Sequence, residues 1–382
     1  MSQWRNVVLV IIAVSASWAA GALRQQADLM PSLAEVLPEA DNFLANGQMN
    51  FAGTRDGQVI GFVQISEASG YGGPLRTVTT VDTSGVIRHI DVLDHKETPS
   101  YYRKFMLRNA RTPVVGEHVT DVLQVELPHH VITGATMTAK AWHQSVLASC
   151  RTIMVGNVHL PQPPQPAPEP VNVTLRDIII ILLFALGFST YHRKTPGKKL
   201  IRWIIGIASI ILLGFVYTVL LNISNINALL LGYLPDWRSH LSVYLLLAGV
   251  LVPLLLIGKS PYCSHVCPFG AVQDCLQALG GNKISIGGRI RKTLARLRGA
   301  VVLAVVCVAL YFRNPGLTGY EVFNAFFDWT GDTYQFILLV IVVVAALVIS
   351  RPWCHYLCPV RAVTGFMQDV RSSFVSIVKM RK

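Results

Sequence analysis

The chain has 382 residues, of which 52% are hydrophobic and only 14% are charged, and its mean hydropathy is +0.45. This composition excludes an ordinary soluble globular protein and is typical of a membrane protein that has room for one soluble domain. Membrane topology explains the net charge of +12 better than nucleic acid binding does, and the cysteine pattern excludes a small disulfide-stapled scaffold.

Six apolar segments predict membrane helices. In chain order they are residues 7–23, 178–191, 203–222, 241–258, 294–312 and 334–350. A helix needs about 20 residues to cross the hydrocarbon core, so the shorter segments must include charged residues at the interface. The predicted fold is a membrane α-helical bundle of about six transmembrane helices, internally duplicated, with an exported α+β domain.

Charge predicts the orientation of these helices. The N-terminus and residues 193–202, 259–298 and 351–382 together hold 19 Lys or Arg against 2 Asp or Glu. The loops 223–239 and 313–333 hold 2 against 4. By the positive-inside rule the basic flanks face the cytoplasm, which predicts a multi-pass protein of the inner (cytoplasmic) membrane with its large N-terminal domain in the periplasm or outside the cell.

These patterns divide the chain into four parts. Residues 1–23 are an N-terminal anchor, although Ala20-Gly21-Ala22 also resembles a signal-peptide cleavage site. Residues 24–160 form the exported domain, in which residues 24–47 look like a helical neck and a twisted antiparallel sheet begins near Met49. A proline-rich linker at 161–174 leads to a five-helix module at 175–382.

A short motif gives the exported domain a candidate function beyond sensing or adhesion. In "TGATMTAKAW" the small residues Gly134 and Ala135 let a ligand approach the backbone, and Thr136 and Thr138 supply hydroxyls. A helix starting near Thr138 would offer free N–H groups to a phosphate. From the residues alone the motif indicates an anion site only weakly, and a purely structural turn is the alternative.

The motif resembles the Ser/Thr-Gly-Ala-Thr flavinylation motif of FMN-binding domains, which occur in Rnf, in the sodium-pumping NADH:quinone reductase and in the NosR family. The resemblance implies that a flavin transferase attaches FMN to Thr136 through a phosphoester bond, with Thr138 as the fallback residue. It also implies that Glu97-Thr98-Pro99 lies close to the flavin. One departure is His130, which stands where the family usually has an acidic residue. The implied flavin-binding residues are Thr133, Gly134, Ala135, Thr136, Thr138, Glu97 and Thr98.

The second half of the chain reads as a repeat. "PYCSHVCPFGAV" after the fourth apolar segment returns as "PWCHYLCPVRAV" after the sixth, and the loops "NALLLGYLPDW" and "NAFFDWTGD" also correspond. The order predicts a pseudo-two-fold axis along the membrane normal. Cysteines at i and i+4 are expected on one helix face about 6 Å apart. Such an axis brings together four thiols: Cys263, Cys267, Cys354 and Cys358.

Four converging thiols could form disulfides, bind a zinc ion or bind an iron–sulfur cluster. Disulfides are disfavoured in a reducing cytoplasm, a zinc ion would only staple the helices, and an iron–sulfur cluster would carry electrons. A flavin domain in the same chain favours the cluster. The paired Cys-x-x-x-Cys-Pro motifs also resemble the membrane module of NosR and NapH proteins, and the short architecture resembles that of membrane flavoproteins accompanying reductive dehalogenases. That resemblance implies an iron–sulfur cluster, expected to be 4Fe-4S.

The other cysteines and the histidines of the motifs have structural as well as functional interpretations. Cys275 is either a substitute ligand or a packed thiol, and Cys150 and Cys307 are expected to be buried apolar residues. His265 and His355 either tune the cluster or face lipid headgroups. The basic run at 289–298 is expected to lie against lipid headgroups.

The sequence thus predicts a membrane electron-transfer protein. Electrons would pass between a membrane or cytoplasmic donor, with a quinol as one candidate, and an exported redox enzyme or cytochrome. Whether the chain is a quinol dehydrogenase-type enzyme component is open, and a membrane redox sensor or maturation factor for an exported reductase is the alternative. A bilayer core is about 30 Å thick, too far for one fast electron hop, and the sequence supplies no intermediate station.

Overall fold

The computed structural model describes most of the chain. The described residues are 2–24, 30–47, 49–70, 72–97, 99–107, 114–124, 136–156, 171, 173–192, 197–238, 240–281, 284 and 286–380. Within them, a five-stranded sheet with flanking helices is followed by a bundle of apolar helices. The FMN-type motif residues Thr133, Gly134 and Ala135, together with Thr98 and His130, lie outside the described residues.

The N-terminal domain is an antiparallel meander with the strand order β1-β2-β3-β4-β5. Its strands are β1 (Asn42–Gly47), β2 (Asn50–Arg55), β3 (Gln58–Ser69), β4 (Pro74–Asp82) and β5 (Ile87–His95). Its helices, with the preceding membrane anchor, are α1 (Ser2–Arg24), α2 (Met30–Val36), α3 (Pro99–Leu107), α4 (Val119–Gln124) and α5 (Thr136–Gly156). The predicted helical neck at 24–47 was therefore too long, because β1 already pairs with β2 from residue 42 onward.

Each face of the sheet is buried by one helix, because successive side chains of a strand point to opposite faces. On one face, Leu33 of α2 packs with Val63 and Val78. On the other face, Trp142 of α5 packs in the same core as Leu75. The sheet is thereby held between α2 and α5. The buried residues of α5, such as Trp142, fix the position of the helix and with it that of its N-terminus.

The second half of the chain forms the membrane module. Its helices are α6 (Leu175–His192), α7 (Lys198–Ala208), which continues as a π-helix (Ser209–Val216), α8 (Ile223–Leu231), α9 (Leu241–Ile257), α10 (Pro268–Gly280), α11 (Gly288–Phe312), α12 (Phe323–Phe327), α13 (Thr333–Val348), α14 (Pro352–Tyr356) and α15 (Pro359–Met380). A π-helical turn (Tyr262–Val266) and a 3₁₀ turn (Pro315–Thr318) complete it.

Three helices in the described part of the chain are long and apolar enough to cross a membrane. They are Trp4–Arg24, Lys198–Val216 and Gly288–Phe312. Two further apolar helices, Leu241–Ile257 and Thr333–Val348, are shorter. At about 1.5 Å per residue these two reach about 24 to 26 Å, which is less than the hydrocarbon thickness of about 30 Å. A helical membrane protein is thus supported, whereas six full spans remain a proposal.

The predicted span at 203–222 ends earlier than expected. The helix stops at Val216, and Thr218 takes a left-handed backbone conformation with φ of 49°. The chain then re-enters a helix at Ile223 behind the capping residue Asn222. The loop between the two helices packs inside the bundle, since Leu220 and Leu221 belong to its buried core.

Candidate functional site

Both cysteine motifs are short turns that share one backbone hydrogen bond, and neither is the expected continuous helix. The first is the π-helical turn ending before Cys267, and the second is α14 followed by Cys358. The N–H of Cys267 donates to Tyr262 O at 2.8 Å, and the N–H of Cys358 donates to Trp353 O at 2.8 Å. The expectation of two cysteines on one helix face was wrong, because the proline after the second cysteine disfavours the α conformation there, and Cys267 has ψ of 117°.

The two motifs meet in the bundle core. Cys354 and Cys358 are buried, and Cys263 and Cys267 pack against the same cluster. Electrostatic interaction joins the four thiols in all six pairwise combinations. Burial first, and then the neighbouring thiols, raise the pKa of Cys263 to about 11 and that of Cys267 to about 12. Without a bound metal these groups are neutral thiols, and a metal would deprotonate them on binding.

Four cysteine thiols are the ligand set of both structural zinc sites and iron–sulfur clusters. In the part of the chain that the structure describes, no three His, Cys, Asp or Glu side chains are close enough to hold one metal ion. Zinc bound by four thiolates at about 2.3 Å holds the sulfurs about 3.8 Å apart. A polynuclear cluster spreads its thiolates farther, because several irons and sulfides occupy the space between them.

The thiols are surrounded by donors that sequence reasoning missed. Gln273 of α10 donates its Nε2–H to Cys354 Sγ at 3.2 Å, and its Oε1 accepts the Trp353 N–H at 3.0 Å. Arg298 of α11 donates to the carbonyl oxygens of Cys354 at 3.3 Å and of His355 at 2.7 Å. Such donors stabilise negative charge, and hydrogen bonds around cluster sulfurs raise the reduction potential.

Arg351 provides the strongest ionic link around the site. Its guanidinium binds the Asp274 carboxylate through two contacts of 2.6 and 2.5 Å, and its Nη1 donates to Cys263 O at 3.0 Å. Arg202 also contacts Asp274, at 2.7 Å. Burial alone would raise the pKa of Asp274, but the two arginines lower it overall. The only sign of this ion pair in the sequence was an arginine, Arg351, directly before the second motif.

A cavity of about 280 Å³ opens beside this ionic link. It lies between α7 and α10, and Arg202, Trp203 and Asp274 line it with Cys275. Cys275 therefore faces the cavity and lies outside the bundle core that holds the four motif thiols. The packed interior position that the sequence suggested for Cys275 was therefore wrong, since this thiol lies on the cavity wall and is partly exposed.

The two histidines inside the motifs make local contacts. His355 Nδ1 lies 3.0 Å from Ser350 O and 3.1 Å from Arg351 O. His265 is buried, and its Nδ1 lies 2.7 Å from Ser264 Oγ. Burial, followed by the charges of Arg202 and its neighbours, lowers the pKa of His265 to about 4. His355 is half-buried and His265 is buried, and contacts within their own turns orient both rings.

The flavin-motif residues that the structure describes lie at one end of the N-terminal domain. Thr136 is the first residue of α5, so the helix starts two residues before the expected Thr138. A helix start carries free N–H groups and the positive end of the macrodipole, which suits a phosphate. Thr138 is buried at 1% exposure, and Glu97 is buried to the same degree. Burial makes Thr138 a poor second attachment residue.

Glu97 and Lys96 pack closely against two glycines of the loop between β3 and β4. Glu97 Oε1 lies against the Cα of Gly70, and Lys96 O lies against that of Gly72, so closely that a methyl group on either glycine would overlap it. The same short strap, residues 96–97, faces the membrane module on its other side. The strap that the resemblance places near flavin is thus held between the sheet and the membrane helices.

Comparison with known proteins agrees with this division. Residues 70–149 match the FMN-binding domain family, and residues 239–287 and 333–377 match the 4Fe-4S binding domain family. Each 4Fe-4S segment contains one of the two cysteine pairs. The chain combines an FMN-binding domain with a 4Fe-4S binding domain.

Curated relatives carry the same theme in their names. Protein NirI of Paracoccus denitrificans is 26% identical over 48% of this chain and 30% of its own length. The putative electron transport protein YccM of Escherichia coli is 28% identical over 41% of this chain and 45% of its own length. Ferredoxin-type protein NapH of Haemophilus influenzae is 31% identical over 33% of this chain and 45% of its own length. The chain thus spans less than half the length of these three relatives.

Proposed function

We propose that this chain is a membrane electron-transfer protein with two redox centres. Cys263, Cys267, Cys354 and Cys358 hold an iron–sulfur cluster of the 4Fe-4S type, and Thr136 carries FMN through a phosphoester bond. The observation that carries the proposal is the convergence of both cysteine pairs in one buried, donor-rich site. Relatives named as electron transport and ferredoxin-type proteins support it.

The division of labour follows from the chemistry of the residues. When bound, the cluster exchanges single electrons and the flavin exchanges one or two, which is chemistry the protein itself lacks. The chain's own contribution is electrostatic. Arg351, Arg298 and Gln273 surround the thiols with positive charge and N–H donors, which favours a negatively charged cluster.

We further propose the direction and the partners. A quinol is the candidate donor, and the cavity beside Arg202, Trp203 and Asp274 is its candidate contact, because Asp274 also binds Arg351 beside the thiol site. An exported redox enzyme or cytochrome is the candidate acceptor at the flavin. In this proposal the cysteine side of the module faces the cytoplasm and the flavin domain lies outside, in the cytoplasmic membrane; the excess of Lys and Arg in the flanks supports that orientation.

Cofactor analysis of the purified protein tests this proposal. We expect iron and acid-labile sulfide, and an FMN adduct in the intact mass that survives denaturation. Thr136→Ala should lose the adduct while Thr138→Ala keeps it, and Cys354→Ser should lose the iron while Cys275→Ser keeps it. Zinc in place of iron, or an adduct that remains in Thr136→Ala, would refute the corresponding assignment.

A second measurement separates conduction from sensing. A conductor bleaches its flavin on mixing with a reduced quinol and recovers when an exported electron acceptor is added. Loaded protein that responds to neither reagent contradicts conduction and supports the redox sensor or maturation factor.

A further inference from the structure

An outer loop of the membrane module contacts both candidate redox sites. The loop between α11 and α13 contains residues 314–320, here called the connector loop, and its first half is the 3₁₀ turn Pro315–Thr318. At its start it touches the flavin domain, and at its end it touches the second cysteine motif.

At the flavin end the connector loop packs against the strap of residues 96–97. Asn314 Nδ2 donates to His95 O at 3.4 Å. A methyl group placed on Gly316 would lie 2.7 Å from Glu97 O and 2.9 Å from Lys96 O, so only glycine permits this approach. The 3₁₀ turn is therefore pressed backbone to backbone onto the buried strap.

Other contacts hold the same two bodies together. Arg103 of α3 forms an ion pair with Asp332 at 3.3 Å. Lys140, one turn along α5 from Thr136, lies near enough to His240, just before α9, for its positive charge to help lower the pKa of that histidine, so this interaction shows proximity and not attraction. The start of α5 thus faces the outer loops of the membrane module, where the connector loop also lies.

At the other end the connector loop reaches the thiols. Tyr320 Oη donates to Leu357 O at 2.8 Å, and Leu357 directly precedes Cys358. The Tyr320 ring also lies 6.0 Å, centre to centre, from the ring of Trp353, which precedes Cys354. Phe323, three residues further on, packs on Trp353 at 5.8 Å. The loop therefore penetrates the bundle as far as the cysteine turns.

The separation along the chain is short. Gly316 and Tyr320 are four residues apart, which is at most about 14 Å even for a fully extended chain. A 3₁₀ turn rises only about 2 Å per residue and shortens the distance further. This compares with about 30 Å for the hydrocarbon core. The contact with the strap and the contact with the cysteine turn therefore lie on residues of the loop that are closer together than a membrane is thick.

We infer that the connector loop is the electron-transfer link between the flavin domain and the thiol site, with Gly316 and Tyr320 as its two positioning residues. The inference rests on the proposed function. Each passage moves one electron across the loop, so that the reduced side loses one electron and the oxidised side gains one, with no bond made or broken. Gly316 sets the approach of the strap, and Tyr320 sets the approach of the Leu357 peptide.

The test compares Gly316→Ala with Gly319→Ala in the full-length, cofactor-loaded protein. A methyl group on Gly316 overlaps the strap backbone, whereas one on Gly319 meets Ser224 Oγ at an ordinary 3.6 Å. Hydrogen exchange reads the docking, redox titration reads each cofactor, and light-triggered reduction reads the transfer rate between them. We expect faster exchange in β5 and the strap, unchanged potentials, and a rate about 10- to 100-fold lower in Gly316→Ala only.

Tyr320→Phe provides a second variant, because it removes the bond to Leu357 and keeps the ring. Its matched control is Tyr244→Phe, which removes a similar bond of 2.6 Å to Pro235 O in the other half of the module. We expect slower transfer at unchanged potentials in Tyr320→Phe and a wild-type rate in the control. Wild-type rates in both Gly316→Ala and Tyr320→Phe would overturn the inference.

Failure of the proposed function gives a different result. In that case the wild-type protein lacks iron or flavin before any variant is compared. The hydrogen-exchange comparison still reports on the contact between Gly316 and the strap. Loaded wild-type protein with normal transfer in the variants disproves the connector alone.

Discussion

The two cysteine motifs are alike in backbone and unlike in charge. Each consists of a short helical turn, a second cysteine whose N–H donates to the carbonyl five residues earlier, and a proline that begins the next helix. Arg351 precedes the second motif where Ser260 precedes the first, and Arg361 follows the second where Gly270 follows the first. Each copy of the repeat supplies two cysteines, and only the second copy has an arginine at these two flanking positions.

Side chains next to each motif form hydrogen bonds with the other motif. Arg351 crosses to the first copy, where it donates to Cys263 O and binds Asp274. Gln273 crosses in the opposite direction and donates to Cys354 Sγ. Each motif is thus held partly by a side chain of its counterpart, so the four thiols form one unit and not two independent pairs.

The outer loops differ in the same way. Three residues before the Asn-Ala pair of each loop, the first copy has Ser224 and the second has Glu321. Glu321 is buried and accepts the backbone N–H of Ile223, at the start of α8 in the first copy. A buried carboxyl group joins the two loops, and its charge state affects their contact.

The largest expected effect comes from Glu321. Burial raises the pKa of Glu321 from 4.5 to about 7, although hydrogen bonds from Ile223 and neighbouring N–H groups lower it in part. The folded state then holds a proton that the unfolded state has lost, so this contribution to stability is complete below pH 4.5 and is lost as the pH rises to about 7. A shift of this size corresponds to about 3 kcal/mol.

Glu321→Gln should remove that pH dependence and keep the bond to Ile223. Unfolding in detergent at pH 5 and pH 8 measures it, with Ser224→Ala as the control that keeps the wild-type profile. Tyr320 and Tyr334 also interact with Glu321, but burial raises the pKa of both phenols, so neither titrates in this range. A pH profile of Glu321→Gln identical to wild type contradicts the prediction.

The second effect tests the charge asymmetry of the motifs. Removing a positive charge about 7 Å from a negatively charged cluster, at an effective dielectric constant of about 20, changes its reduction energy by about 2 kcal/mol. Arg351→Gln should therefore lower the midpoint potential of the bound cluster by on the order of 100 mV. Potentiometric titration followed by electron paramagnetic resonance measures the shift in the loaded fraction.

Two controls sharpen this comparison. Arg351→Lys keeps the charge and loses the paired contact with Asp274, so its potential should stay closer to wild type. Arg202→Gln removes an arginine that binds Asp274 from the other side and is half exposed. An equal fall of the potential in Arg202→Gln and Arg351→Gln would show that general charge, and not the bond to Cys263 O, sets the potential.

Much of this arrangement was readable from the sequence. The repeated Cys-x-x-x-Cys-Pro motif predicted the convergence of two cysteine pairs, because identical elements in a repeat take equivalent positions. The helix after the Thr-Gly-Ala-Thr motif was also predicted, and Thr136 begins it. Each of the six predicted apolar segments overlaps an apolar helix, and most helix ends lie within a few residues of the predicted ones.

The remainder depended on long-range contacts that local patterns do not encode. Nothing in the residues near Tyr320 indicates that its hydroxyl bonds to Leu357, 37 residues away. Phe323 and Phe327 of the second outer loop are buried in the bundle core, and nothing in the local pattern indicates that depth. The extended conformation of Cys267 was not predicted, although a residue before a proline disfavours the α conformation and Pro268 follows Cys267. The i, i+4 spacing of the cysteines was given more weight than this effect of proline.

The smallest expected effect tests whether the copies act as one unit. Gln273 belongs to the helix after the first motif and donates to Cys354 Sγ of the second, and a bond of this kind contributes about 1 kcal/mol. If it strengthens when the cluster gains an electron, Gln273→Leu lowers the midpoint potential by tens of millivolts, since a one-electron couple shifts by about 59 mV for each tenfold change in equilibrium constant.

Gln277→Leu is the matched control for that measurement. Gln277 lies one turn further along the same helix, where its Oε1 accepts the Ser350 hydroxyl at 3.0 Å and no thiol is bound. The control should leave the potential unchanged. Gln273 also accepts the Trp353 N–H, so Gln273→Leu loses some stability, and the potential is the readout that a purely structural role would not change. Equal potentials in the two variants would mean that the first copy holds the second in place without tuning it.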